Sequence, residues 1–378
     1  MKPSEYDIAI IGGGLAGLSM AILSARKGYK VILFEKGSYP AHKVCGEYIG
    51  EESRSFLQQL GVPLPALNLP AIDRLQVSDL PGNLYAFPLR PGGFGISRYI
   101  LDNLLYERAT DSGARVVTRT RVDHIKYERG AFRVDFGKQS TTANVAIGAF
   151  GKRSNLDLKW NRPFITSRPG RLDNYLGVKY HIKYAHPSNL ISLHNFTDGY
   201  CGISQIENEL SCLCYLTKAS NLVSSNNSIA RMEQTVLSAN PHLKSIFAKA
   251  EFIFGSPVTI SQISFARKTQ VEDHVLLTGD AAGMISPLCG NGMSMALHAG
   301  KMAFEAVVPF LETRVSRDEM EKVYQRSWDR QFGRRLFTGR VVQQIFGNQK
   351  ATSLFLAAMN KLPFIARTVI GATHGKPF

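Results

Sequence analysis
Short, wholly apolar runs alternate with longer amphipathic stretches through the first half of the chain. Residues 7–11 (Asp-Ile-Ala-Ile-Ile) have the profile of a strand buried on both faces. A helix-forming stretch over 14–27 follows and stops at Gly28, a C-cap position. Residues 30–35 (Lys-Val-Ile-Leu-Phe-Glu) read as a second buried strand, which completes a βαβ unit. Beyond a loop at 37–50 the pattern predicts a helix at 51–60. Strands at 74–78 and 84–88 flank a Pro-Gly-Asn turn. A helix at 98–110 places Leu101, Leu104 and Leu105 on one face. Strands at 115–119, 122–127, 131–136 and 144–148 follow. The apolar run at 8–25 carries glycines at 12, 13, 14 and 17 and lacks a basic flank. It therefore reads as an α/β opening, not as a signal or a membrane span.

Near residue 175 the rhythm changes. Alternating runs at 176–183, 190–195 and 211–216 predict an antiparallel sheet inserted into the first unit. In it Cys212 and Cys214, two apart, fall on one face. The buried-strand signature returns at 273–279 and leads into a long helix, and from 316 onward the chain reads as basic helix. The expected class is α/β: a Rossmann-like nucleotide-binding domain, an inserted antiparallel β-sheet substrate domain, and C-terminal helices. The expected boundaries are 1–70, 92–155 and 262–310 for the first, 71–91 and 156–261 for the second, and 311–378 for the helices.

Gly12, Gly14 and Gly17 fit a G-x-G-x-x-G turn between the first strand and first helix, and Glu35 ends the next strand. Gly12 permits the tight turn, Gly14 lets backbone approach a pyrophosphate, and Gly17 lets the helix sit on the strand. Phosphate then meets the positive helix end, and Glu35 can accept from ribose hydroxyls. This unit serves NAD and FAD alike. A second motif separates them: Thr278-Gly279-Asp280-Ala281-Ala282-Gly283, then Pro287, then Gly290-Asn291-Gly292-Met293 at the start of the long helix.

With Lys43-Val44-Cys45-Gly46-Glu47 upstream, the sequence resembles FAD-dependent oxidoreductases of the geranylgeranyl reductase family, which have the p-hydroxybenzoate-hydroxylase-like flavoprotein fold. The resemblance covers the first 155 residues and 260–305. It implies FAD, held at the nucleotide end by Gly12, Gly14, Leu15, Ala16, Gly17, Glu35 and Lys36, with Arg98, Val122 and Ala149 beside it. At the flavin end it implies Gly279, Asp280, Gly290, Asn291, Gly292 and Met293, with Cys45 and Gly46 next to the ring. Cys45 and Glu47 are the candidate catalytic pair, a thiol that tunes or protonates and an acid. The alternative is that Cys45 packs as a small apolar residue and Glu47 caps the helix near Glu51.

Departures from related patterns narrow the chemistry. Phe150 stands where aromatic hydroxylases of this fold carry Asp, and with only Trp160 and Trp328 the chain lacks the Trp-x-Trp stretch of flavin halogenases. The stretch containing Tyr200, Cys201 and Gly202, the candidate substrate-pocket residues, lacks the Trp and Pro of the prenyl-reductase element. The expected reaction is reduction of a carbon–carbon double bond in a lipid-, isoprenoid- or polyketide-like substrate, free or carrier-bound, by flavin hydride. The alternatives are an FAD-dependent monooxygenase acting on an aromatic or polyene, and a flavin electron-relay protein. With no second dinucleotide fingerprint, electrons are expected from NAD(P)H docking transiently or from a reduced partner protein.

Composition adds partners to this picture. At 44% hydrophobic and 20% charged the 378 residues are those of a folded protein, but 45 basic against 30 acidic side chains leave +15. Lys322, Arg326, Arg330 and Arg334 recur every four residues, as a solvated helix face or as a docking surface for an anionic membrane or an acidic carrier protein. No nucleic-acid-binding motif accompanies them. Five cysteines without a C-x-x-C pair predict a reducing compartment, no disulfide framework and no metal. The expected location is cytoplasmic, with the inner membrane face as a peripheral variant.

Overall fold
The computed structural model describes residues 4–167, 170, 172–346 and 348–378. Its first sheet runs in the order Val271–Glu272, Val275–Leu277, Gln139–Gly148, Tyr6–Ile11, Val31–Phe34, Arg115–Val117. All neighbours are parallel except the first pair. Ile8, Ala9 and Ile10 are fully buried because helices or loops cover both faces, as an unbroken apolar strand requires. Leu276 pairs with Ile147, and Ile147 with Ile10, so the turn after Leu277 and the turn after Ile11 leave the same edge of the sheet. Ligands of open parallel sheets bind at that edge.

The helix Gly292–Leu311 lies directly on the helix Leu15–Arg26. A Cβ on Gly300 would stand 2.3 Å from the Ser19 hydroxyl and 2.5 Å from the Ala16 carbonyl oxygen. Only a residue without a side chain allows that approach.

The second sheet has nine strands, including Tyr175–Lys183, Ser211–Lys218, Gly199–Gln205, Leu190–Phe196, Ala71–Ser78 and Leu84–Gly95. The strand Tyr48–Gly50 joins its edge from the first unit. Strand alternation gives it two apolar faces. Val178, Tyr180, Cys201, Leu213 and Tyr215 meet Met232, Leu237, Leu243 and Ile246 of the helical segment that follows. Tyr175, Leu193, Tyr200 and Leu216 face the other way, toward Leu356, Met359 and Ala366 of the C-terminal helices.

Most predicted elements form. Some bounds shift: the expected 51–60 helix opens as a 3₁₀ turn, Glu51–Ser53, before Arg54–Gln59, and the expected 122–127 strand begins at His124. The helices Arg317–Ile345, Gln349–Lys361 and Pro363–Thr373 end the chain. The first buries Met320, Tyr324, Trp328, Phe332 and Leu336, one per turn, and the Tyr324 hydroxyl donates to the Leu277 carbonyl at 2.6 Å.

Candidate functional site: a nucleotide groove beside an apolar cavity
Gly12 turns at φ +111°, and a Cβ there would lie 2.3 Å from the Ala149 carbonyl oxygen; one on Gly17 would lie 2.0 Å from that of Gly12. The helix then starts at Gly14 with no side-chain cap and no acidic residue in its first turn, so its N–H groups are free for an anion. Glu35 reaches back into the turn. Its Oε2 accepts from the Gly13 N–H and its Oε1 from the Gly37 N–H, both at 2.8 Å.

Leu15 and Ala16 are buried at the helix start, and Lys36 is exposed at the rim. Ala149 donates its N–H to the Ile11 carbonyl at 2.7 Å. Val122 sits in the core with its carbonyl accepting from Asn155 Nδ2 at 3.1 Å. Arg98 heads its helix with its guanidinium on both oxygens of Asp102, at 2.6 and 2.7 Å. A Cβ on Gly14 would be 3.9 Å from Arg98 Nη2, which places this cation at the turn. Burial would raise the Asp102 carboxyl, but the charges of Arg98 and Lys43 hold it below its ordinary range.

At the other end Gly279 has φ +60°, and a Cβ there would be 3.2 Å from the Ala16 Cβ, so the two motif turns touch. Gly279, Asp280 and Gly292 line one cavity of about 220 Å³. The Asp280 carboxylate accepts no hydrogen bond among the described residues, and burial raises it against the pull of Lys268, Arg98 and Lys152. Burial in turn brings both lysines down to about 8. The helix Gly292–Leu311 also begins without a side-chain cap or an acidic first turn. Asn291 turns its side chain away, donating to Glu52, and Met293 is buried core, so neither offers a side chain to the groove. Gly290 adopts φ +60° beside the Tyr48 ring.

These residues fit FAD. An uncapped helix end suits the pyrophosphate, Glu35 the ribose, the unpaired Asp280 the ribityl hydroxyls, and the second uncapped helix end the electron-rich side of the ring.

Cys45 and Glu47 lie where the loop meets the second sheet. Glu47 is fully buried at φ 56°; its Oε1 accepts from the Arg98 N–H at 2.7 Å and from Lys179 Nζ, and its Oε2 bonds His181 Nε2 at 2.6 Å. Burial would raise this carboxyl, but the His181 bond and the Lys179 charge outweigh it and hold it ionised. Glu47 does cap a helix, the one headed by Arg98, not the one near Glu51. Cys45 is half-buried; burial pushes its thiol up, against the lowering effect of the Arg98 and Lys179 charges. Cys212 donates its S–H to the Cys45 carbonyl at 3.2 Å.

Sequence reading missed Lys179 and His181. They occupy alternate positions of Tyr175–Lys183 on the face opposite Val178 and Tyr180. No sequence signal marks them, because polar positions between the apolar ones of 176–183 look solvent-facing until the second face of the sheet is covered. Glu47, His181 and Cys212 bring an oxygen, a nitrogen and a sulfur within 4.8 Å of one another, but the Lys179 ammonium already occupies the carboxylate as its cation.

A larger, solvent-open cavity, about 730 Å³ including its mouth, lies against the flavin end. Its walls are Tyr48, Leu75, Val77, Leu89, Ile191 and Leu193 from the sheet, Pro287 to Gly290 from the flavin-end turn, and Phe355, Leu356, Met359 and Ile370 from the C-terminal helices. Of the three expected pocket residues, Tyr200 and Gly202 fall on the sheet face turned this way. Cys201 points to the opposite face, into the core under Met232 and Leu237. None of the three lines the cavity itself.

The FAD binding domain family matches residues 5–304. The chain belongs to this family. Within it, this flavoprotein is geranylgeranyl-reductase-like, an FAD-dependent oxidoreductase. It is 27% identical over 380 aligned residues to a digeranylgeranylglycerophospholipid reductase of Methanosarcina acetivorans, covering 92% of this chain and 86% of that one. It is 24% identical to conditioned medium factor receptor 1 of Dictyostelium discoideum, covering 87% and 68%. Among solved structures, a flavin-dependent brominase superposes with a TM-score of 0.79 at 18% identity, covering 97% and 93%, which shows a shared fold.

Proposed function
We propose that this flavoprotein reduces a carbon–carbon double bond in a lipid-, isoprenoid- or polyketide-like substrate. The observation that carries the reading is the apolar cavity of about 730 Å³, which shares Tyr48 and Gly290 with the flavin end of the groove. Its lining, apolar almost throughout, suits an apolar molecule. The likeness to a phospholipid reductase points the same way. The chain's two tryptophans, 160 and 328, leave no Trp-x-Trp stretch, which argues against halogenation.

FAD, when bound, supplies the hydride. The protein supplies orientation and the proton. Burial keeps the Cys45 thiol protonated, so Sγ holds the proton to be delivered to the alkene carbon opposite the hydride. Arg98 and Lys179 stabilise the thiolate left behind. Glu47, ionised and fully hydrogen-bonded, is a positioning residue that anchors Lys179 and the Arg98 helix start; it is not the acid. Electrons arrive from NAD(P)H docking at the flavin or from a reduced partner protein.

The test is anaerobic turnover of reduced protein with polyene lipids, read by product mass. A gain of two hydrogens is expected, and a gain of one oxygen under air would replace the reading with the monooxygenase one. In Cys45→Ser, turnover should fall by about a hundredfold with FAD retained. Unchanged turnover removes Cys45 as the proton source.

A further inference from the structure
The last 49 residues, 330–378, carry eight Lys or Arg and no Asp or Glu. The same segment holds five of the eleven large apolar side chains that are exposed among the described residues, Phe337, Val341, Leu354, Leu362 and Phe364. Leu354 is 75% exposed, Phe364 64% and Phe337 62%, and exposed apolar side chains gathered in one segment mark an interaction surface. Along Arg317–Ile345 the exposed stripe changes character. Arg330 and Arg334 are followed one turn at a time by Phe337 and Val341, at helical spacings of four, three and four.

The helices Gln349–Lys361 and Pro363–Thr373 are apolar on two sides. Their inner faces give Leu356, Met359 and Ile370 to the cavity wall, and their outer faces present Leu354 and Phe364 among the exposed Lys350, Lys361 and Arg367. A helix with apolar side chains on both its buried and its exposed face suits the boundary between a protein core and lipid. The two are bent by 110° at their junction, and no single helix among the described residues is long and apolar enough to cross a membrane. The pair therefore suits lying in an interface, not spanning a bilayer.

We infer that the C-terminal helices dock this protein on an anionic lipid bilayer, with Phe337, Leu354 and Phe364 inserted among the acyl chains and the neighbouring arginines and lysines on headgroup phosphates. The cavity behind the same two helices then takes its apolar substrate from that bilayer. The second statement rests on the proposed function; the docking itself does not. An acidic carrier protein would be met by the charges alone and gives the exposed leucine and phenylalanines no role.

The experiment uses the full-length, FAD-loaded protein and flotation with phosphatidylcholine vesicles, with or without a third of phosphatidylglycerol. Binding is expected only with the anionic lipid and should weaken as salt rises. Leu354→Ser combined with Phe364→Ser, and separately Phe337→Ser on the other helix, should each lower partitioning by about tenfold with FAD content and melting temperature retained. Arg330→Glu with Arg334→Glu should do the same.

Binding that is lost on charge reversal but indifferent to all three apolar substitutions overturns the insertion and leaves a charge-only contact that an acidic protein would satisfy equally. Binding to neither vesicle overturns it outright. A soluble polyene fatty acid, cis-parinaric acid, reports the cavity independently. Its failure to bind while vesicles bind defeats the substrate reading and leaves docking intact.

Discussion

Lys179 and Glu47 are both withdrawn from water, and the buried ammonium is tolerable because the carboxylate faces it. Glu47→Gln leaves a buried ammonium facing a neutral amide, which should cost about 3–5 kcal/mol in urea denaturation. Glu47→Gln combined with Lys179→Met removes both charges and should regain part of that loss. A double variant no more stable than the single one would show that the charges act independently. His194 gives a second test. Its buried ring bonds the Ser78 hydroxyl at 2.9 Å, and burial together with the nearby His242 and His186 brings it down to about 3. As pH falls below about 6.5 the unfolded chain takes up a proton that the folded chain refuses, so stability is lost on the acid side. Between pH 7.5 and 5.5 this one group should remove about 1.4 kcal/mol. His194→Gln should show a correspondingly shallower pH dependence, whatever its own stability. Residues of this kind were only half legible in the sequence. Glu47 stood out because it sits in a glycine-bearing motif. Its partners did not, because the alternation of 176–183 was read for its apolar positions, and a lysine between them looks like a solvent-facing one until the sheet is covered.

Elements were far more readable. The opening βαβ unit, the Gly279-Asp280 turn and the start of the late helix each carry local chemistry that dictates them: an apolar strand, a glycine that turns, a helix end without a cap. The Arg98 helix ends within one residue of its expected limit. Pairing across the chain was not readable. Tyr48–Gly50 joins the second sheet through Leu84–Gly95, a contact that no three-residue pattern announces. The crossing of the two long helices depends on Gly300, which looks like any helical glycine until Ala16 is seen against it. Gly300→Leu should drive those helices apart, costing 1–3 kcal/mol or more by the usual penalty for overpacking. It should weaken FAD binding as well, because the Gly12 and Asp280 turns ride on the displaced helices. Asp280→Asn is the milder probe of the same join. Replacing the carboxyl acceptor by an amide should weaken FAD by about tenfold, the range for losing one strong hydrogen bond. Quenching of flavin fluorescence on titration into apoprotein measures it, and an unchanged affinity would remove Asp280 from the ribityl site.

Across the whole molecule, the apolar cavity is the feature with no local signature. The cavity draws its wall from positions 48, 75–89, 191–193, 287–290, 342–346 and 355–374, six separate stretches that only the finished fold assembles. This is why a motif search placed the pocket at Tyr200 to Gly202, one strand away, and why the C-terminal helices looked merely basic. The wall is apolar almost throughout, so its selectivity must come from shape and length. Filling it should therefore separate substrate binding from cofactor binding. Ile191 is half-buried, lines the cavity, and belongs to a sheet strand remote from the glycine turns. Ile191→Trp places an indole in the empty volume. Parinaric acid should then bind about tenfold more weakly, in proportion to the apolar contact area lost, while FAD stoichiometry and melting temperature hold. If instead the indole left parinaric acid binding untouched, the long apolar substrate would have to lie elsewhere, and the reductase reading would lose the cavity on which it stands.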